Sequence, residues 1–404
     1  MDLKSGTPFW QVRNGLLHAY PRLEDSLQCE VLVVGAGITG ALIGDHLARA
    51  GFEVAVIDGR EAAFGSTAAS TALLQYEIDT EMQALARRYG IDDAVLAYRS
   101  CELAVGSLLK LAKSLGDIDC EAMQSLYFAS RFYHLPRLEA EGALRLAHGF
   151  DLEILDRAAL ADRYGIDSAG GLLTAVAGEI DPFQLSYRLL ARIATLGGRV
   201  HARTTMQGFV VGDGGVAVRI ADGGTIRCKH LVIASGYESQ LWLDQKVASN
   251  RSSYAMVSEP VPGQLGPFRK TLAWESARPY LYLRRTADER LLVGGEDDRI
   301  DLALKRDLKV DAKAMKLLAL TRKLLPSLPL RIAFSWAGTF AETDDGLPFF
   351  GPHRQHGPRV HFAMAYGGNG ITYSLIGAEL IRDALLGKLH PCASLFGFGR
   401  LDRH

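Results

Sequence analysis

Cysteine is scarce: Cys29, Cys101, Cys120, Cys228 and Cys392 are spread over 404 residues, and no two form a C-x-x-C pair. That spacing excludes a zinc ribbon or a dithiol redox centre built on neighbouring cysteines and suits free cytosolic thiols. An excess of charge of one sign is also missing. Lys+Arg 45 against Asp+Glu 46 leaves a net charge of -1, without the positive surplus on which nonspecific phosphate binding depends, so no nucleic-acid partner is expected. No apolar run reaches the ~20 residues of a membrane-spanning helix, so no transmembrane segment is expected. Residues 1–20 show no basic segment leading into an apolar stretch and a small-residue cleavage site, and a cytoplasmic location is expected. Internal repeats and low-complexity tracts are absent as well.

What is present is apolar content and glycine. Hydrophobic residues at 48% against 23% charged can bury a large core, and 404 residues suit two domains better than one small module. Glycine is 42 of 404, above the usual ~7%, and its placement carries the reading. Residues 30–34, Glu-Val-Leu-Val-Val, run directly into Gly35-Ala-Gly-Ile-Thr-Gly40; a helical pattern follows over 41–50, and 52–57 reads as a second strand closed by Asp58. This β-α-β unit predicts the opening of a doubly wound parallel sheet. Gly35 permits the turn, Gly37 removes a side chain where a pyrophosphate approaches, and Gly40 lets helix and strand pack closely. The helix start, with Ile38 and Thr39, offers unpaired N–H groups to the phosphate anion. Asp58, 18 residues after Gly40, is placed to accept hydrogen bonds from ribose hydroxyls. The small and hydroxyl residues Gly65, Ser66, Thr67, Ala68, Ala69, Ser70, Thr71 and Ala72 then replace the prompt third strand of a nicotinamide dehydrogenase. A polar loop of this kind favours FAD.

Residues 81–115 predict one or two amphipathic helices broken near Gly90, and 125–181 give mixed signals, with a short strand at 126–129 and helices near 136–147 and 157–164. A helix over 183–196, a strand at 199–203, a hairpin arm at 209–220 and a buried strand at 230–234 read as a return to the first sheet. Residues 251–295 alternate as an antiparallel sheet, including 253–258, 280–284 and 291–294. A helix over 311–325, strands at 331–336 and 360–365, a glycine turn at 367–370 and a helix to Leu386 complete the chain. The expected fold is α/β plus α+β: a Rossmann-like FAD-binding domain from residues 1–112, 181–246 and 336–404, and a discontinuous antiparallel-sheet substrate domain from 113–180 and 247–335. Alternation over 280–284 places Tyr280, Tyr282 and Arg284 on one face, a candidate pocket lining with Arg278 just before it.

Together these segments resemble the D-amino-acid oxidase and glycine oxidase superfamily of FAD-dependent oxidoreductases over nearly the whole chain. Residues 31–58 carry the first motif, and 64–74 resemble the G-S-x-A-S loop beneath the flavin. Gly178-Glu-Ile-Asp-Pro182, Thr204-Thr-Met206 and Leu231-Val-Ile-Ala-Ser-Gly236 resemble its V-D-P, T-x-V and V-x-A-x-G segments. Trp336-Ala-Gly338, Thr343-Asp-Asp-Gly-Leu-Pro348 and Gly367-Gly-Asn-Gly-Ile-Thr372 resemble its C-terminal ones. The resemblance implies that Gly65, Ser66, Ser70, Thr71, Met206, Ala234, Ser235, Gly236, Gly338, Gly368, Asn369, Gly370, Ile371 and Thr372 join the first motif around FAD. It also implies an active-site phenol at Tyr280, with Tyr282, Arg278, Arg284 and Phe340 on the substrate side. No cysteine or histidine falls in the attachment segments, so the FAD is expected to be noncovalent, and no metal is expected.

The family pattern fails at three places. Phe340 and Gly368 stand where relatives carry arginines that clamp a substrate carboxylate, and Leu292 falls near the lysine that helps oxygen react in some sarcosine-oxidase relatives. The expected function is hydride removal from a C–N bond of an amine or amino acid, with oxygen or another electron acceptor. A hydroxy-acid or amino-acid dehydrogenase serving a quinone or carrier protein stays open beside it, as does a flavoprotein without turnover.

Overall fold

The strand Leu27–Val34 ends in four consecutive buried residues, the pattern of a central strand covered on both faces. In the computed structural model, which describes residues 3–221, 223–299, 302–364 and 366–403, it pairs in parallel with Val54–Ile57 and with Thr225–Ile233. Arg199–His201 and Val360–Met364 extend the parallel order outward; Ala365, expected in the last of these strands, lies outside the described residues. Alternate residues serve opposite cores. Val31, Val33, Val54 and Val56 pack beneath the helices Ile38–Arg49, Pro182–Thr195 and Gly370–Leu385, while Leu32, Val34, Ala55 and Ile57 pack with Val216 and Val218 of the hairpin strand Gly215–Ile220.

The second sheet is antiparallel except where Thr271–Glu275 runs parallel to Cys120–Phe128. Its order is Lys4–Gly6, Ile332–Glu342, Ser249–Ser258, Leu291–Asp298, Tyr282–Arg285, Thr271–Glu275, Cys120–Phe128, Gly170–Ile180 and Leu73–Gln75, with Leu152–Asp156 also paired to Gly170–Ile180. The helix Val310–Leu324 covers one face, with Leu317 and Leu318 against Leu291 and Val293. Between Ser249–Ser258 and Leu291–Asp298 the register slips. Ser252 faces Asp298 but Tyr254 faces Gly295, so one extra residue is inserted before Asp298.

Two expectations need correction. Residues 170–180, read as mixed, are an eleven-residue strand. A Cβ on Gly170 would lie 2.6 Å from Leu135 Cδ1, one on Gly171 3.0 Å from Tyr127 O, and one on Gly178 3.0 Å from Leu109 Cδ2. These glycines admit close neighbours rather than mark turns. The second concerns boundaries: Lys4–Gly6, Leu73–Gln75 and Ile332–Glu342, lying wholly or mostly in the segments assigned to the FAD-binding domain, all pair into the second sheet. No helix among the described residues is long and apolar enough to cross a membrane.

Candidate active site

The first glycine turn is shaped by backbone contact. Gly35 has φ 115°, and a Cβ on it would lie 2.3 Å from Ala234 O; one on Gly40 would lie 1.8 Å from Gly35 O. Gly37 differs, because its Cβ would meet only Thr67 Oγ1, at 2.9 Å. Thr67 Oγ1 accepts the Ile38 N–H at 2.9 Å, tying the hydroxyl-rich loop to the helix start. Asp58, at the end of Val54–Ile57, accepts the Ala36 N–H at 2.7 Å and the Arg60 N–H at 2.8 Å. Each oxygen retains acceptor capacity for a ligand hydroxyl.

These groups open into a cavity of about 580 Å³ that runs from Asp58, Met206 and Glu238 beside the first sheet to Trp274, Tyr280 and Tyr282 beside the second. Of the residues picked out in the sequence, Gly35, Gly37, Ile38, Thr39, Asp58, Gly65, Ser66, Ser70, Thr71, Met206, Ala234, Ser235, Gly236, Gly338, Gly368, Asn369, Gly370 and Ile371 line it, as do Tyr280, Tyr282 and Phe340. Gly40, Thr372, Arg278 and Arg284 are not among the lining residues. Gly40 sits behind the turn, and Thr372 is buried within the last helix.

Arg284 has a different task from the one expected. Its Nε–H donates to Thr71 O at 2.7 Å, its other nitrogens reach Ile180 O and Glu179, and only 2% of the residue is exposed. The indole N–H of Trp10 donates to Ser70 O at 2.6 Å, and that of Trp336 to Ala69 O at 2.8 Å. Three consecutive loop carbonyls are therefore held by side chains from three distant parts of the chain. We expect Arg284→Ala to destabilise the protein by about 3 kcal/mol, because the carbonyls of Thr71 and Ile180 lose a charged donor while Glu179 keeps only Arg285; urea unfolding of the FAD-free protein measures this.

At the other side of the cavity Gly367, at φ 86°, begins the turn into Gly370–Leu385. The Gly368 N–H donates to Asp79 Oδ2 at 2.8 Å, and Asn369 Nδ2 donates to Gln75 O and Glu77 O at 3.0 and 2.9 Å. Asp79, which sequence reasoning missed, also accepts the Tyr280 hydroxyl at 3.0 Å. The Arg278 guanidinium lies 4.7 Å over the Tyr280 ring and donates to Asp79 O at 2.5 Å. Burial, with Asp79 and Asp297 nearby, holds Tyr280 well above the usual phenol range, so it acts as a neutral hydrogen-bonding group. Tyr282 lies across Gly294, where a Cβ would come within 2.3 Å of the ring. Its ring centroid is 5.6 Å from that of Tyr280, which is 6.2 Å from that of Trp274. The signal for Asp79 was its place in the alternation Glu77, Asp79, Glu81 directly after the polar loop; Trp274 and Asp297 carried none.

The family described as FAD dependent oxidoreductase matches residues 30–384. The chain belongs to this family. Over 396 residues, 91% of this chain and 86% of the relative, it is 28% identical to gamma-glutamylputrescine oxidoreductase of Escherichia coli. It is 24% identical to glycine oxidase of Bacillus licheniformis, covering 89% of this chain and 93% of that one. Among solved structures, glycine oxidase from Geobacillus kaustophilus superposes with TM-score 0.77 at 19% identity, covering 92% and 98% of the two chains. L-proline dehydrogenase from P. horikoshii superposes with TM-score 0.78 at 17% identity, covering 94% and 99%.

In this FAD dependent oxidoreductase the residues present suit the cofactor. Backbone at Gly37 is bare where an anion must approach, Asp58 has acceptor capacity for a diol, and the 65–72 loop lines the cavity with hydroxyls. Gly35, Gly37, Asp58, Ser66, Ser70, Met206 and the turn at 368–371 would hold FAD. Neither cysteine nor histidine occurs among the described lining residues. Heating or acid treatment is therefore expected to release intact FAD into the supernatant; flavin that stays with the precipitated chain would contradict a noncovalent site.

Proposed function

We propose that this enzyme takes a hydride from the carbon of a C–N bond in an amine or amino acid, leaving an imine. The supporting observation is the substrate end of the cavity, where a neutral phenol, Tyr280, fixed by Asp79, stands among Trp274 and Tyr282. FAD, when bound, supplies the two-electron acceptor. The chain's share is to hold the donor carbon within about 3 to 3.5 Å of the accepting atom and to exclude water. A neutral amine drives hydride departure with its own nitrogen lone pair, so no dedicated base is needed. The relatives whose names specify an amine or amino acid, gamma-glutamylputrescine oxidoreductase and glycine oxidase, support the same class. The substrate is a small molecule, and the reaction belongs to the cytoplasm.

Leu292 favours a second reading of the acceptor. It is fully buried in the core, and the position offers no cation to assist oxygen. A quinone or carrier protein then takes the electrons. Anaerobic bleaching of the flavin by a panel of amines, amino acids and hydroxy acids tests the substrate class. Oxygen uptake against dye reduction in steady state tests the acceptor. Bleaching by hydroxy acids alone would overturn the C–N reading.

A further inference from the structure

The slipped register in Leu291–Asp298 decides where three consecutive carboxylates point. Leu291 and Val293 face the helix Val310–Leu324, and Leu292 faces the opposite core. Unbroken alternation would send residue 296 to the side of Leu292 and residue 297 to the helix. The extra residue reverses this. Glu296 meets Lys313 and Lys316 at 3.1 and 2.8 Å, and Asp298 meets Lys309 at 3.0 Å. Asp297 is turned into the cavity instead. Glu296 holds φ 58°, a left-handed conformation costly for a side chain of this kind, and such strain concentrates at functional sites.

Charge around Asp297 does not balance. One of its carboxylate oxygens is shut off from solvent and has no hydrogen-bond partner among the described residues. Burial pushes its carboxyl up to about 6, with Asp79 and Glu342 adding to the rise and Ser253 and Arg278 opposing it. Glu342 is paired with Arg251 at 2.8 Å, and Arg278 is engaged by Asp79. A carboxylate is thus left over in a cavity whose walls are Trp274, Tyr280 and Tyr282, aromatic groups that attract cations.

We infer that Asp297, with Tyr280 and Tyr282, receives an ammonium group of the substrate other than the amine being oxidised, so the substrate is a diamine or polyamine. The inference rests on the amine reading above. The reacting amine must be uncharged for its lone pair to expel hydride, so the positive charge that offsets Asp297 belongs to a second group. The absence of an arginine at Phe340 and Gly368 agrees, since neither position then offers a guanidinium to a substrate carboxylate.

The test uses FAD-loaded protein under anaerobic conditions, with 1,4-diaminobutane, 1,5-diaminopentane and spermidine against butylamine, 4-aminobutanoate and hydroxy acids. At least one diamine or polyamine is expected to bleach the flavin at a half-saturating concentration at least roughly tenfold below that of butylamine. Asp297→Asn should raise that concentration roughly tenfold to hundredfold, and raise it for butylamine by a much smaller factor. A bis-quaternary dication of the same length, which has no lone pair and cannot react, should perturb the flavin spectrum of the parent and not of Asp297→Asn. Equal responses to diamine and butylamine in the parent, or equal losses for both in the variant, overturn the second-ammonium site while leaving amine oxidation standing. Bleaching by hydroxy acids and by no amine overturns the amine reading itself. If nothing bleaches the flavin, a dication signal that is absent or insensitive to Asp297→Asn overturns the inference.

Discussion

Gly37→Val is expected to yield a folded but colourless protein, whereas Gly40→Ala is expected to lose the fold of the cofactor site altogether. Both are glycines of one motif, yet their surroundings differ. A Cβ at 37 meets only the Thr67 hydroxyl at 2.9 Å, which can yield at the cost of its one hydrogen bond from the Ile38 N–H, and the rest of the side chain enters the cavity. The valine then stands where the pyrophosphate must approach the backbone. At 40 the obstacle is the Gly35 carbonyl at 1.8 Å, and backbone cannot yield without separating strand from helix. Overpacking of this kind costs about 1–3 kcal/mol or more. Far-UV circular dichroism and thermal melting against the FAD-free parent separate the cases, with flavin absorbance after desalting as the common readout. Normal FAD retention in Gly37→Val would return the motif to a purely structural turn.

Glycine and D-alanine are expected to be turned over very poorly. A charge-assisted hydrogen bond to a carboxylate is worth roughly 1.5 to 3 kcal/mol, so losing two arginines costs about a hundredfold to ten-thousandfold in kcat/KM. The two positions fail for connected reasons. Phe340 lines the cavity and carries no charge. Gly368 is closed in by Asp79, whose carboxylate would lie 3.1 Å from a Cβ there, and by the Tyr280 hydroxyl at 3.2 Å. Asp79 thus crowds any side chain at 368 and sets a carboxylate beside it. Phe340→Arg should improve glycine turnover at least roughly tenfold while weakening the native substrate. A submillimolar KM for glycine in the parent would show that the carboxylate is held some other way.

The cofactor half of the site was legible because it depends on backbone. Gly35 and Gly40 are required by contacts with carbonyls and Gly37 opens onto the cavity, and such backbone demands leave a fixed spacing in the chain. The substrate half depends on side chains whose aim is set by tertiary structure. Alternation correctly placed Arg284 on the face of Tyr282, but by that point the face is already covered by Trp10 and the 70–71 loop, so the guanidinium serves the loop. Asp297 was unreadable for the opposite reason: the inserted residue breaks the parity that alternation assumes. Residues 170–180 were lost because glycine within a strand and glycine in a turn look alike until the neighbouring layer is known.

The loop carbonyls of residues 69, 70 and 71 bind side chains at positions 336, 10 and 284. Read in the order of synthesis, this means that the loop leaves the ribosome early, with Trp10 already made, and waits while more than half of the chain follows. Arg284 must emerge before its third carbonyl is fixed, and Trp336 before its first. The turn at 368–371 comes later still. The three clasps on the loop can therefore be complete only once residue 336 has been made, long after the glycine motif itself.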